Sequence, residues 1–278
     1  MLHNRVKRIN GLSTIRVSTS HCVESMASQA LRDAYKERFL PRQYLDELVF
    51  GKYSSSQIER LHNFFQSDLI QGETLLDVGS GPVVFSSLIA SSKFKHIVLS
   101  DLVEGNRLEL NRWINDEEGA IDWSHAAEQI AAVEGKSDIK KGALEIIERT
   151  RSAIRKVVPC DVLEPGVLPM EHRETFDVVI SNGCLDAAAA DHESFRRVIC
   201  NVAPLVKPGG LLVIIGAGGI KSYPVGTFNF PHANLTEDVL KEAVTDAGFQ
   251  IERYRPKQLP SLVGNSEVFI FILAARKT

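Results

Sequence analysis

The sequence predicts an α/β fold in which a mostly parallel sheet is covered by helices on both faces. Three observations carry that expectation. Four apolar runs of strand length, residues 74–78, 96–100, 176–181 and 210–215, are bounded by Gly, Pro or Asp, as strands buried on both faces are. Stretches of helical period separate them. The first run ends in Gly79-Ser80-Gly81-Pro82 before another apolar stretch, residues 83–90. Strand, glycine turn and helix thus follow one another as they do at the ligand edge of open α/β sheets.

Taken in order, residues 1–25 stand apart. Arg5, Lys7, Arg8 and Arg16 precede the first acid, Glu24, and Ser13, Thr14, Ser18, Thr19 and Ser20 lie among them. This predicts a disordered extension; an organelle transit peptide, also Arg- and Ser-rich and acid-poor, is the other reading. Residues 26–278 read as one domain. Leu31, Ala34, Tyr35 and Arg38 give residues 27–39 a helical period that Pro41 stops. Ser54 to Ser56 precede a second helix at 57–68, with Ile58, Leu61, Phe64 and Phe65 on one face. Residues 115–156 are too long for a simple crossover, and Leu144, Ile147, Ile154 and Val158 share helical spacing, so a helical insertion is expected there. Residues 157–162 form a weaker third strand. Thr236 caps and Gly248 stops a helix at 236–247. Strands at 250–255 and 268–274 then pair antiparallel at the sheet edge.

Composition narrows the function. The 278 residues hold 32 Lys plus Arg and 35 Asp plus Glu, a formal charge of −3. A dedicated nucleic-acid binder shows a basic surplus instead. Residues 208–220 form an uncharged apolar stretch, and no uncharged stretch of the sequence reaches the roughly 18–20 residues of a membrane span. Cys22, Cys160, Cys184 and Cys200 form no CxxC pair, so neither a disulfide framework nor a metal site is expected. The expectation is a cytoplasmic protein that handles a small molecule.

The ends of the strands carry the chemistry. The glycine turn offers backbone N–H groups and a positive helix end. A dinucleotide fingerprint needs glycine at position 84, where this chain has Val84, which argues against an NAD-dependent oxidoreductase. Asp101 ends the second strand, where a carboxylate can accept both hydroxyls of a ribose, or else serve as a turn acid. Asp161, in Pro159-Cys160-Asp161-Val162, can accept from an adenine amine while Val162 covers the ring, or else merely start a loop. Ser181-Asn182-Gly183-Cys184 ends the fourth strand beside the topological switch point; its Asn-Gly pair also reads as a plain turn.

Six motifs in order then carry a resemblance. They are residues 75–82, Asp101 with Asn106, Asp122-Trp123-Ser124, Cys160-Asp161-Val162, Cys184-Leu185-Asp186-Ala187-Ala188 and Leu205-Val206-Lys207-Pro208-Gly209-Gly210. With them the chain resembles the nicotinamide, phenylethanolamine and indolethylamine N-methyltransferase family from about Tyr35 to Lys277. Phe39-Leu40-Pro41-Arg42-Gln43-Tyr44-Leu45 resembles that family's lid segment, here placed within residues 27–70. The resemblance implies a Rossmann-like seven-stranded class I methyltransferase sheet, S-adenosyl-L-methionine as cofactor, a small-molecule nitrogen acceptor and a monomer. Tyr44 would close over the methionine end of the cofactor, Gly79 and Ser80 would approach it through backbone groups, and Val49, Gly81 and Phe85 would also bind the cofactor. Asp101 and Asn106 would hold the ribose, Asp161 and Val162 the adenine, and Asn182 would stand near the sulfonium. Tyr223, Gly216 and His232 would line the acceptor pocket, although Tyr223 also reads as an ordinary half-buried tyrosine.

The chain departs from the family in that pocket. Relatives place an acid shortly after the fifth strand to orient the acceptor's amine or amide. Here Gly216-Ala217-Gly218-Gly219-Ile220-Lys221-Ser222-Tyr223 holds none, and Lys221 has the opposite sign. A cationic amine would lack its counter-ion, and burying an unpaired charge is costly. Asp186 and Glu267 are the nearest acids that could replace it, and Asp186 and Tyr223 are the candidate catalytic residues. No obligatory base is expected, because a pyridine nitrogen needs none. Two readings follow: a methyltransferase for a small neutral nucleophile, or a cofactor-binding protein that has lost turnover.

Overall fold

The computed structural model describes residues 26–49, 55–259 and 268–278. The extension at 1–25, Ser54 and Glu267 lie outside the described residues. The chain opens with α1 (Met26–Arg38), which stops before Pro41 because a residue preceding proline is driven out of the helical region; Leu40 is extended. Pro41 then starts α2 (Pro41–Tyr44), its fixed φ suiting a first helical turn. One π turn, Leu45–Val49, follows it.

Next come α3 (Ser55–Phe65), β1 (Thr74–Val78), α4 (Phe85–Ala90), β2 (His96–Asp101), α5 (Glu104–Ile114), α6 (Ser124–Val133), α7 (Ile139–Ala153) and β3 (Ile154–Pro159). The chain continues through β4 (Phe176–Asn182), α8 (His192–Val202), β5 (Val206–Gly218), β6 (Ser222–Val225), β7 (Phe228–Pro231), α9 (Glu237–Asp246), β8 (Phe249–Gln258) and β9 (Phe269–Lys277).

Seven strands form the main sheet in the order β3-β2-β1-β4-β5-β9-β8. All neighbours pair parallel except β9, which runs antiparallel between β5 and the outermost strand β8. The alternation of strand side chains explains the layers. Leu75, Leu99, Ile180 and Val213 face α3, α4, α6 and α7, whereas Leu76, Val98, Val179 and Ile214 face α8 and α9. Strand order reverses between β1 and β4, so the crevice for a ligand lies at their carboxyl ends.

Two local expectations are corrected. The third strand is Ile154–Pro159 and not 157–162, because Ile154 turns extended at the end of α7 and pairs with Ile97 of β2. The sequence pattern assigns Ile154 to the helix because its spacing fits both periods. The helix after the glycine turn begins at Phe85, two residues later than expected, with fully buried Val84 as its N-cap. One element had not been foreseen: β6 and β7 form a hairpin across Gly226-Thr227, with Gly226 at φ +60°. That hairpin and α1 share a small apolar cluster of Leu31, Val225 and Phe230 that roofs the crevice. No helix among the described residues is long and apolar enough to cross a membrane.

Candidate active site

The floor of the crevice is the glycine turn. Gly79 has φ +69°, and a Cβ there would collide with the Cys184 side chain, so glycine is required for the turn to pack against the end of β4. Ser80 donates its backbone N–H to the Ser100 carbonyl at 2.9 Å, tying the turn to β2. Gly81 has φ +60° and donates its N–H to Asp101 Oδ2 at 2.8 Å. The other oxygen of Asp101 accepts from Val103 N–H at 2.8 Å and from Asn106 Nδ2 at 3.0 Å. Asp101 is therefore a turn acid and a crevice wall at once. Burial raises its pKa, and these three donors work against that rise.

A crevice of about 950 Å³ opens over this floor. The structure brings Tyr44, Gly79, Ser80, Gly81, Asp101, Asn106, Asp161, Val162, Asn182 and Tyr223 together in its lining. Val49, Phe85, Gly216, His232 and Asp186 are not part of that lining. Two lining groups are conspicuous for what they lack. Asp77 Oδ1 and Asn106 Oδ1 are buried without a hydrogen-bond partner. Burial, and then the neighbouring Asp101 carboxylate, push Asp77 up to about 7. A buried acceptor with no donor is costly unless a ligand supplies one.

The adenine-side candidate, Asp161, accepts from Leu163 N–H through Oδ1 at 3.1 Å, and its Oδ2 lies 3.0 Å from Arg32 Nε. Arg32 is nearly buried on α1 and also pairs with Glu164 at 3.0 Å. Burial raises the Asp161 pKa despite that guanidinium. Above, Tyr35 and Tyr223 join hydroxyl to hydroxyl at 2.6 Å. Tyr35 donates to the Ala187 carbonyl at 3.2 Å, which leaves Tyr223 as the donor within the pair. Tyr35 stacks on Phe230 at 4.5 Å, and burial raises both phenols well above their ordinary range.

Behind this wall sits a second polar pair. Asp186 is buried and accepts from Ala217 N–H through Oδ2 at 2.9 Å, with His232 Nε2 at 3.2 Å from the same oxygen. Gly216 lies against it: a Cβ there would stand 2.6 Å from Asp186 Oδ2 and 3.0 Å from Phe271 Cζ. An acidic side chain at Gly216 therefore has no room in this packing. Asn182 donates to Ser86 Oγ at 3.3 Å and, with Phe85, also lines a second cavity. No group of three or more potential metal ligands occurs among the described residues.

Sequence reasoning passed over Arg32, Tyr35 and Asp77. Tyr35 is an ordinary position in the helical period of residues 27–39, and nothing local distinguishes Arg32 on the same helix. Asp77 did carry a signal, since an acid inside the apolar run Leu75-Leu76-Asp77-Val78 is expensive to bury.

Comparisons with known proteins agree with this geometry. The NNMT/PNMT/TEMT family profile matches residues 27–278. Indolethylamine N-methyltransferase of Oryctolagus cuniculus is 34% identical over 260 residues, covering 88% of this chain and 96% of the relative. Nicotinamide N-methyltransferase of Homo sapiens is 34% identical over 256 residues, with the same coverage of 88% and 96%. Among solved structures, 1,6-didemethyltoxoflavin-N1-methyltransferase of Burkholderia thailandensis, with S-adenosylhomocysteine bound, superposes with a TM-score of 0.54 at 18% identity, covering 90% of this chain and 88% of that one. That likeness is one of fold alone. A profile spanning residues 27–278 and relatives at 34% identity over most of both lengths lead to one assignment: the chain belongs to the NNMT/PNMT/TEMT family.

Proposed function

We propose that this protein is an S-adenosyl-L-methionine-dependent methyltransferase whose acceptor is a small molecule with a nucleophilic nitrogen. The observation that carries the reading is the pair of buried, unpartnered acceptors in one crevice, Asp77 Oδ1 and Asn106 Oδ1. They suit a ligand with an ammonium at one end and sugar hydroxyls at the other, and S-adenosylmethionine has both. Two curated relatives named as N-methyltransferases of small molecules support nitrogen as the acceptor atom.

In this reading, ionised Asp77 meets the ammonium, Asp101 and Asn106 take the ribose hydroxyls, and Asp161 and Val162 frame the adenine. When bound, the cofactor supplies an electrophilic methyl group on a sulfonium, so transfer is an in-line displacement. The chain's task is then alignment and exclusion of water. Phe39, Tyr44, Tyr35 and Tyr223 close the crevice from α1, α2 and the hairpin. Asn182, at the carboxyl end of β4, borders the reacting end. Neither buried tyrosine acts as a base, since both phenols hold their protons at neutral pH. The reading extends to residues 26–278 as one domain, working as a cytoplasmic monomer on small molecules and not on nucleic acid; the formal charge of −3 supports it.

Isothermal calorimetry with S-adenosylhomocysteine tests the cofactor half, and methyl transfer to a panel of pyridines, amines and thiols tests the acceptor half. Binding with turnover of a nitrogen compound is expected. Absence of binding would sink the reading, and binding without turnover of any acceptor would mark a protein that keeps only the cofactor site.

A further inference from the structure

A second cavity, of about 1160 Å³, opens beside the first, and Asn182 lines both. Phe85 forms part of its inner wall, and Arg60 of α3 and Arg253, Arg255 and Lys257 of β8 line it as well. The three on β8 alternate along the strand, which puts them on one face. Among the described residues no acidic side chain lines this cavity, and none of the four cations forms an ion pair. Charged side chains on an outermost strand commonly guard against edge-to-edge pairing. That explains β8 by itself, but not the convergence of Arg60 from a helix. Nor does it explain four cations and no acid in a chain with more acids than bases.

We propose that this cavity receives the anionic end of the methyl acceptor, so that the substrate is a nitrogen nucleophile bearing a carboxylate. Its nitrogen lies at Asn182 and its carboxylate among Arg60, Arg253, Arg255 and Lys257. Guanidinium groups suit that role because their forked donors match a carboxylate. The proposal rests on the methyltransferase reading and explains its oddest feature. The acid with which relatives orient the acceptor's amine or amide is absent from residues 216–223, and charge of the opposite sign lines the neighbouring cavity. For a pyridine carboxylate the chemistry balances without a base. The nitrogen lone pair forms the new N–C bond, the S–C pair stays on sulfur to give a neutral thioether, and the methylated product is a net-neutral zwitterion.

The test compares pyridine-3-carboxylate, 3-pyridylacetate and 3-pyridylpropanoate, each against its own amide, on the full-length protein. Affinity for the S-adenosylhomocysteine complex is measured by calorimetry, and kcat and KM with S-adenosylmethionine. At least one carboxylate should bind at least tenfold more tightly than its amide. Arg253→Gln with Arg255→Gln should erase that preference through KM, leaving the amide and S-adenosylhomocysteine affinities unchanged. Lys257→Gln should weaken it partly, and added salt should do the same. Equal or tighter binding of all three amides would overturn the proposal, as would a carboxylate preference that survives the double substitution. Failure to bind S-adenosylhomocysteine at all would overturn the methyltransferase reading beneath it, which the calorimetric control distinguishes.

Discussion

Asp77 couples burial to pH in a way that can be measured. In the ligand-free fold its pKa is pushed up to about 7, against an ordinary value of 3.8. Its proton is therefore kept between those values by the folded chain and released by the unfolded one. This contribution to stability is present at low pH and is lost as pH rises through about 7. A cationic ammonium needs the ionised form, so S-adenosylhomocysteine should bind up to about tenfold more tightly at pH 7 than at pH 6, the limit for one required deprotonation. Asp77→Asn should weaken binding and flatten that slope in calorimetry; an unchanged slope would remove Asp77 from the site. Gly216 makes the steric counterpart. Gly216→Ala would force its Cβ against Asp186 and Phe271, at a cost of about 1–3 kcal/mol in thermal or urea unfolding. Gly216→Asp should cost more and should fail to recruit cationic amines, because the Asp186 carboxylate already fills that space.

At the scale of elements, the roof is the least self-sufficient part of the molecule. Among the described residues its cluster has three buried apolar side chains, Leu31, Val225 and Phe230, against 32 in each cluster on the two faces of the main sheet. Such thinly packed elements open at lower cost than the core. Arg32 is the polar link between α1 and the loop after β3, through Asp161 and Glu164. Arg32→Ala should leave Asp161 without its ion pair and loosen α1. The dissociation rate of S-adenosylhomocysteine, followed by stopped flow, should rise several-fold with little change in unfolding midpoint. An unaltered rate would mean that α1 does not close the crevice. The insertion expected at 115–156 plays no such part: it holds α6 and α7, paired with each other against α3 and α4, and its last residues, from Ile154, belong to β3.

For the whole molecule, the strands of the main sheet and the glycine turn were legible because they depend on nearest neighbours. Apolar runs ending in Gly or Asp write out β1, β2, β4 and β5 directly, and the Thr236 cap marks the helix near 237. The hairpin β6–β7 was not legible, since Pro224 and the alternating Phe228 and Phe230 lack a long apolar run. The start of β3 was not legible either, since Ile154 satisfies helix and strand periods alike. The amino-acid sequence by itself determined the layered sheet, the glycine turn and the polar residues Asp101, Asp161 and Asn182 at or just after strand ends, through contacts a few residues long. Only the tertiary structure decided which polar groups are spent and which remain open. Asp186 meets His232 46 residues away, Tyr35 meets Tyr223 188 residues away, and four cations from two elements come to share one cavity. Contacts at such separations depend on how whole layers pack, and local propensity carries no record of that.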